Sequence, residues 1–505
     1  MLIIAQLFIT TERSDEGTVF LLQPQIILLT HTFFLLSPKM SALAVKNIQA
    51  SLIFLARLLL SLHLKNEYIM SEQQRASFGG KLSVILVAAG SAVGLGALWR
   101  FPYIAGMHGG AAFLLVFLLS VIVVGIPAML AEFAVGRRTK KNAVGAFRSL
   151  SKRWSWLGYS GVLGALLISG YYYLIAGWSL EYFASSLSGG IFSSPHSFKE
   201  QFSMFQDSWR PLFYCFLFIL MTHFIVSRGV EKGIEKASKI MMPALFVILI
   251  VMAVRVAFMP GAADGYRFFL SCDFAEAFKP ETRMMAIGQA FFSLSVGMGC
   301  MVTYASYFKK DTNMVATSFN VSVLTLLVSV LAGLVIFPAV FSAGLQPAEG
   351  PSLVFVTLPE IFKGMPLAAV WSSIFFLLVI LASLTSTISF HEVLTAYVAE
   401  EFNMTRKRAA LVTTVISVLL STVTFYKMFG VDFFNIFDYI TANVLMPLGA
   451  MFTCIMVVWF MKRGFMSEEI TNGGLCNKRF AGVVVFMLRF ITPVLILYIF
   501  IRNFL

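Results

Sequence analysis

From residue 81 onward the chain is a succession of apolar stretches, each about 20 residues long, joined by short polar connections. Twenty residues of α-helix rise about 30 Å, the thickness of a bilayer's hydrocarbon core. Water offers no hydrogen bonds there, so each stretch must satisfy its own peptide groups as helix. About eleven spans are readable, beginning near residues 81, 111, 155, 211, 236, 284, 312, 367, 406, 432 and 480. The sequence is 58% hydrophobic and 12% charged, whereas soluble domains carry about 25% charged residues. The expected fold is all-α and integral to a membrane, with the lipid bilayer as its immediate partner.

A net charge of +13 invites a nucleic-acid reading, but the distribution of charge rejects it. Arg137, Arg138, Lys140, Lys141, Arg148, Lys152 and Arg153 follow the second span; Arg228, Lys232 and Lys236 follow the fourth. Lys309 and Lys310, then Arg406, Lys407 and Arg408, then Lys462 and Arg463 follow the sixth, eighth and tenth. All fall on the side of Arg75, as the positive-inside bias requires. The expected setting is the cell (inner) membrane, crossed many times, with a cytoplasmic N-terminus. Cys215, Cys272, Cys300, Cys454 and Cys476 lack ligand spacing and read as packing residues.

Residues 1–70 form an N-terminal extension without a clean span. Met70 opens a hydrophilic lead, Ser71-Glu72-Gln73-Gln74-Arg75. The expectation is an over-called or poorly ordered start, with translation beginning at Met70 and a transport domain over 71–505.

Two of the spans are interrupted by glycine. Val93-Gly94-Leu95-Gly96 lies within the first, and Val296-Gly297-Met298-Gly299 repeats the pattern in the sixth. Glycines in a membrane helix more often allow close packing, but matching interruptions in two halves point to a transporter's midplane site. Spans one to five (about 76–258) and six to ten (about 280–462) read as an inverted five-helix repeat, each opening with a discontinuous helix. An eleventh helix, about 480–503, is added to them. Broken ends expose carbonyls to a cation and amides to a carboxylate.

Ionisable residues at depth are functional candidates. Arg100 and Asp438 stand at the outer ends of spans one and ten, either as a pair or as separately solvated groups. Arg75 and Glu400 stand on the inner side, and Glu392 lies deeper. Ala382-Ser383-Leu384-Thr385-Ser386-Thr387 offers uncharged oxygens to an alkali ion, and Tyr172 offers a hydroxyl to a carboxylate. No nucleophile–base pair, metal cluster or phosphate loop points to an enzyme.

With these residues the chain resembles the neurotransmitter:sodium symporter family, in its bacterial eleven-helix amino-acid branch. The resemblance covers about residues 72–505 and rests on four motifs. These are Gly94-Leu95-Gly96 with Trp99-Arg100-Phe101-Pro102, Phe291-Phe292-Ser293-Leu294-Ser295 with Gly297, Thr303-Tyr304-Ala305-Ser306-Tyr307, and Leu384-Thr385-Ser386. It implies a second sodium site from Gly90, Val93, Ala382, Thr385 and Ser386. A substrate carboxylate would meet Leu95, Gly96 and Tyr172. An ammonium would meet Ala92, Phe292, Ser293 and Ser295, and a side chain would meet Ile168, Phe292, Met298, Ser386 and Phe390. Arg100 with Asp438 would be the outer gate, Phe292 the lid, and Arg75 with Glu400 the inner latch near Tyr307.

The first sodium site departs from the family. Ala92, Ser293 and Thr325 remain, but Ala97 replaces an amide ligand, so only the second sodium is expected to bind strongly. Gln289, Ser293 and Ser329 suit chloride, yet Phe117 stands where chloride-dependent members carry a tyrosine, and chloride dependence stays open. The expected function is sodium-coupled symport of an apolar or aromatic amino acid into the cell by alternating access. Two alternatives are a proton-linked or exchange transporter using Glu392, and an amino-acid sensor that does not cycle. Oligomeric state is not readable.

Overall fold

The computed structural model describes residues 76–345, 352–426, 431–472 and 478–504, all within one compact unit, Gln74–Leu505. The expected start at Met70, the extension before it, and Arg75 lie outside the described residues. Among the described residues every regular element is a helix.

Among the described residues nine helices are long and apolar enough to cross a membrane alone, and Lys81–Ala92 with Gly96–Met107 makes a tenth span, bent by 53°. Pro280–Ser293 and Cys300–Ala305, separated by residues 294–299, make a second interrupted span. Numbered in chain order, the spans are α1 (Lys81–Ala92 and Gly96–Met107), α2 (Ala111–Thr139), α3 (Lys152–Leu187) and α4 (Arg210–Ser227). They continue as α5 (Val230–Ala257), α6 (the interrupted pair), α7 (Met314–Ser342) and α8 (Ala368–Glu401). The last are α9 (Arg406–Phe425), α10 (Phe433–Phe460) and α11 (Arg479–Tyr498). The sequence placed the start of α5 at 236, but it begins at Val230 with a π-helical turn. Glu231, Lys232 and Glu235 make that turn look like a loop, yet Glu235 is buried and accepts from the Ser83 hydroxyl at 2.6 Å.

The centre belongs to α3 and α8. Glycines of α3 let its other neighbours come close, because lipid tails give no hydrophobic drive for helices to associate and close backbone approach must supply the contact. A Cβ on Gly177 would lie 2.5 Å from the Cys215 nitrogen of α4, and one on Gly158 would lie 2.4 Å from Val144 Cα. The outer helices α4, α5 and α11 turn apolar side chains outward, among them Phe213, Phe224, Val247 and Val483. A crevice of about 340 Å³ opens on that side between α4 and α9, lined by Trp209, Phe213 and Val418 among others. Its Ser421 and Thr422 hydroxyls are engaged with the Ser169 and Val418 carbonyls.

Candidate substrate and sodium site

The first interruption begins where Val93 turns extended (φ −89°, ψ 93°), which stops α1 and releases its carbonyl from the helix. The second begins at Leu294. Ser295, Gly297 and Gly299 all hold positive φ there, at 52°, 91° and 77°. Gly297 has a second reason to be glycine, since a Cβ would lie 2.1 Å from the Met446 carbonyl oxygen. Ser295 is the unexpected member, because serine disfavours that region and the cost is of order 1–3 kcal/mol. Its hydroxyl donates to the Ser91 carbonyl at 2.8 Å and so ties the two interruptions together.

Glu132 of α2 was not singled out in the sequence. Its Oε1 accepts from the Gly297 amide at 2.6 Å, so a buried carboxyl braces the second interruption. The available signal was an acid inside the apolar run from Ile126 to Val135.

Between the interruptions lies a cavity of about 30 Å³, room for about two waters. Ala92, Gly96, Ile168, Tyr172, Phe292, Ser295, Met298, Ser386 and Phe390 line it, as the resemblance implied, together with Ser91, Gly94, Cys300 and Ser389. The Leu95 amide donates to the Tyr172 hydroxyl at 3.0 Å, so the two groups assigned to a carboxylate already face each other. Ser293 is different. It is fully buried, and its hydroxyl oxygen accepts from Gln289 Nε2 at 3.0 Å. Gln289 also donates to the Gly96 carbonyl at 2.8 Å. Glycine is required at 94 and 96, where a Cβ would lie 2.0 Å from Ser386 Oγ and 2.7 Å from the Phe292 ring.

Thr385 of α8 donates to the Ala382 carbonyl at 2.8 Å and to the Val93 carbonyl at 3.0 Å. Gly90 packs on the same threonine, its Cβ position 3.4 Å from Thr385 Cβ. Carbonyls freed by a helix break, with one hydroxyl, are hard uncharged oxygens suited to an alkali ion. Ser386 turns away from this cluster. Its hydroxyl reaches the Ser91 carbonyl at 3.4 Å and faces the cavity.

In the set expected for the first sodium, Thr325 donates back to the Val321 carbonyl at 2.9 Å, Ser293 accepts from Gln289, and position 97 is a buried alanine with no side-chain oxygen. The chloride set has its hydrogens committed. Ser329 donates to the Thr325 carbonyl at 3.1 Å, and Phe117 packs among aromatic rings, 5.2 Å from Phe101.

At the outer end, Arg100 and Asp438 do not form a direct ion pair: no N–O contact within 4.0 Å joins them among the described residues. The Arg100 guanidinium lies instead 4.6 Å above the Phe292 ring. The Tyr171 hydroxyl stands beside both Asp438 and Arg100. A cation over an aromatic face is favourable, and this face belongs to a ring that lines the cavity.

At the inner end the centre is Glu392. Tyr307 donates to its Oε1 at 2.6 Å, and Arg406 reaches its two oxygens at 3.0 and 2.5 Å. Glu400 accepts from the Asn142 amide and side chain at 2.8 and 3.0 Å. Phe78 ties the start of α1 to this end, its amide donating to the Tyr307 carbonyl at 3.2 Å.

The family model of the sodium:neurotransmitter symporters matches residues 75–198 and 198–505. The chain belongs to the sodium:neurotransmitter symporter family. It is similar to the sodium-dependent transporter YhdH of Bacillus subtilis, at 36% identity over 86% of this chain and 98% of that protein. It is also similar to the sodium-dependent dopamine transporter of Bos taurus, at 25% over 79% of this chain and 65% of that one. The crystal structure of MhsT in complex with L-phenylalanine superposes with a TM-score of 0.78 and 39% identity, over 85% of this chain and 99% of that one. Like other symporters of this family, the chain is a sodium-dependent membrane transporter and not an enzyme. Its fold is the inverted five-helix repeat with discontinuous first and sixth helices.

Proposed function

We propose that this symporter carries an apolar or aromatic L-amino acid into the cell, driven by one sodium ion held between α1 and α8. The observation that carries the reading is the pairing of the Leu95 amide with the Tyr172 hydroxyl inside a cavity walled by Ile168, Met298, Phe292 and Phe390. One end of that cavity presents groups for a carboxylate and the Ser91 and Ala92 backbone for an ammonium. The walls are apolar, with a compliant methionine. L-Phenylalanine bound to MhsT supports the same class.

Sodium enters as co-substrate. Gly90, Val93, Ala382 and Thr385 belong to two different helices, so an ion held by all four stabilises one relative placement of α1 and α8. A ligand shifts a conformational equilibrium only through its differential affinity for the two states, and this site exists only when α1 meets α8. At 100 mV inside negative, each sodium moved inward gains about 2.3 kcal/mol, enough for about a fifty-fold substrate gradient. The cytoplasmic N-terminus and the inner-membrane location complete the proposal, supported by the basic inner loops.

Glu392 was the candidate for a proton-linked cycle. Its bonds with Arg406 and Tyr307 favour a structural role that joins α8 to α9 and to the inner half of α6. The deciding experiment is uptake of an amino-acid panel into proteoliposomes, with and without an inward sodium gradient. Accumulation that needs sodium and survives removal of a pH gradient is expected. Accumulation driven by protons in sodium-free buffer refutes the proposal, and binding without uptake reassigns the chain as a sensor.

A further inference from the structure

Phe390, the apolar wall of the cavity, is wedged between two tyrosines of α3. Tyr172 and Tyr173 both meet it edge-on, with ring centroids 5.4 Å away in each case. Tyr172 also works in the cavity through Leu95. Tyr173 does not line the cavity, and its hydroxyl lies 2.9 Å from Nδ1 of His391. His391 is fully buried next to Phe390 in α8. An imidazole in a membrane interior is a functional candidate whose partners must be named.

The hydrogens around that ring can be counted. Thr414 donates its hydroxyl hydrogen to the Ala410 carbonyl at 2.8 Å, one turn back in α9. Its oxygen is then an acceptor, and two imidazoles address it: His223 Nδ1 at 2.8 Å and His391 Nε2 at 3.4 Å. Both nitrogens carry hydrogen there. A neutral imidazole with hydrogen on Nε2 accepts at Nδ1, so the Tyr173 hydroxyl is the donor in the 2.9 Å bond. An imidazolium would carry hydrogen on both nitrogens and reverse that bond, making the Tyr173 hydroxyl oxygen the acceptor.

We infer that His391, in its neutral Nε2–H form, is a specificity-determining positioning residue: through Tyr173 it fixes the Phe390 ring and so the room left for a substrate side chain. It touches no substrate. Packing of α3 on α8 persists without this bond, but the Tyr173 ring loses the direct bond that orients it toward His391 of α8. The inference rests on the amino-acid reading above.

The test uses the full chain in proteoliposomes, with labelled L-phenylalanine competed by unlabelled L-phenylalanine and L-valine. The readout is the ratio of the two inhibition constants, with the sodium concentration for half-maximal uptake measured beside it. Tyr173→Phe keeps the ring and deletes the hydroxyl. It is expected to move the ratio about fivefold toward unity, the worth of one hydrogen bond, with the sodium dependence unchanged. His391→Asn retains an acceptor near the Nδ1 position and is expected to keep the ratio. His391→Gln reaches toward Thr414 alone and is expected to lose it as Tyr173→Phe does. Ratios unchanged in Tyr173→Phe and His391→Gln, with uptake intact, overturn the inference alone. An unmodified chain that takes up neither amino acid with sodium overturns the substrate reading and the inference with it.

Discussion

Thr385 and Val93 are 292 positions apart, and the hydroxyl of one donates to the carbonyl of the other at 3.0 Å. The acceptor is free because α1 stops there, and the donor sits where α8 carries a run of hydroxyls. A bond between a broken helix and a continuous one is what an ion can replace, since a cation attracts the Val93 and Ala382 carbonyls that Thr385 now serves. Occupancy of that point and the relative placement of the two helices are therefore one variable.

Removing the hydroxyl tests this directly. Thr385→Ala is expected to raise the sodium concentration for half-maximal uptake about tenfold or more, the worth of one ligand oxygen at about 1.4 kcal/mol. Ser386→Ala is expected to act differently, raising the amino-acid KM while leaving sodium dependence near that of the unmodified chain, because its hydroxyl faces the cavity. Radiotracer uptake titrated separately in sodium and in substrate checks both. An equal effect of the two substitutions on sodium counts against the assignment.

One strong sodium site predicts a Hill coefficient near one for sodium. The physical reason is the buried methyl of Ala97, where a dehydrated ion would need an oxygen. Ala97→Asn supplies the missing oxygen and is expected to raise the coefficient or tighten sodium binding several-fold. A coefficient clearly above one in the unmodified chain sinks this reading.

Gly96→Ala is expected to abolish uptake with little loss of folded protein. The added carbon would lie 2.7 Å from the Phe292 ring, so the lid must move off the cavity. Displacing it also pulls the ring from under Arg100, which now lies 4.6 Å above it. Detergent-solubilised yield and uptake, measured on the same preparation, separate a lost lid from a lost fold.

The spans were legible because a bilayer admits few alternatives to helix, and the interruptions were legible because glycine marks them. Nine of the eleven residues that the resemblance named for a substrate share one cavity, and Leu95 and Ser293 do not line it. What stayed hidden has a common cause: partner choice among polar groups is a three-dimensional fact. Nothing in Ser295 announces a positive φ, and Glu132 reads as one acid in an apolar run until Gly297 is seen above it. Arg100 and Asp438 have complementary charges, yet an aromatic face takes the guanidinium. Glu392 was noticed, but Arg406 looked like one more base in an inner loop. Only the fold shows it turned back on α8.

That last pair supports a prediction about closure. Glu392 is completely buried while the Arg406 side chain keeps 28% of its exposure, so one partner borders the protein surface, on the side proposed above as cytoplasmic, and the other does not. Breaking a buried pair by removing one partner typically costs about 3–5 kcal/mol, because the remaining charge is left uncompensated. Opening toward the cytoplasm is a way to hydrate it. Arg406→Ala is therefore expected to favour the inward-open arrangement, not merely to destabilise the protein. Cys300 lines the cavity and supplies the reporter, in a background with Cys215, Cys272, Cys454 and Cys476 replaced. Its alkylation by a polar maleimide from the cytoplasmic side is expected to quicken several-fold in Arg406→Ala, and sodium is expected to slow it again. The double substitution Arg406→Ala with Glu392→Gln removes the stranded charge and should return the rate toward that of the background. Equal rates in all three proteins would show that this cluster holds α8 to α9 without controlling access to the site.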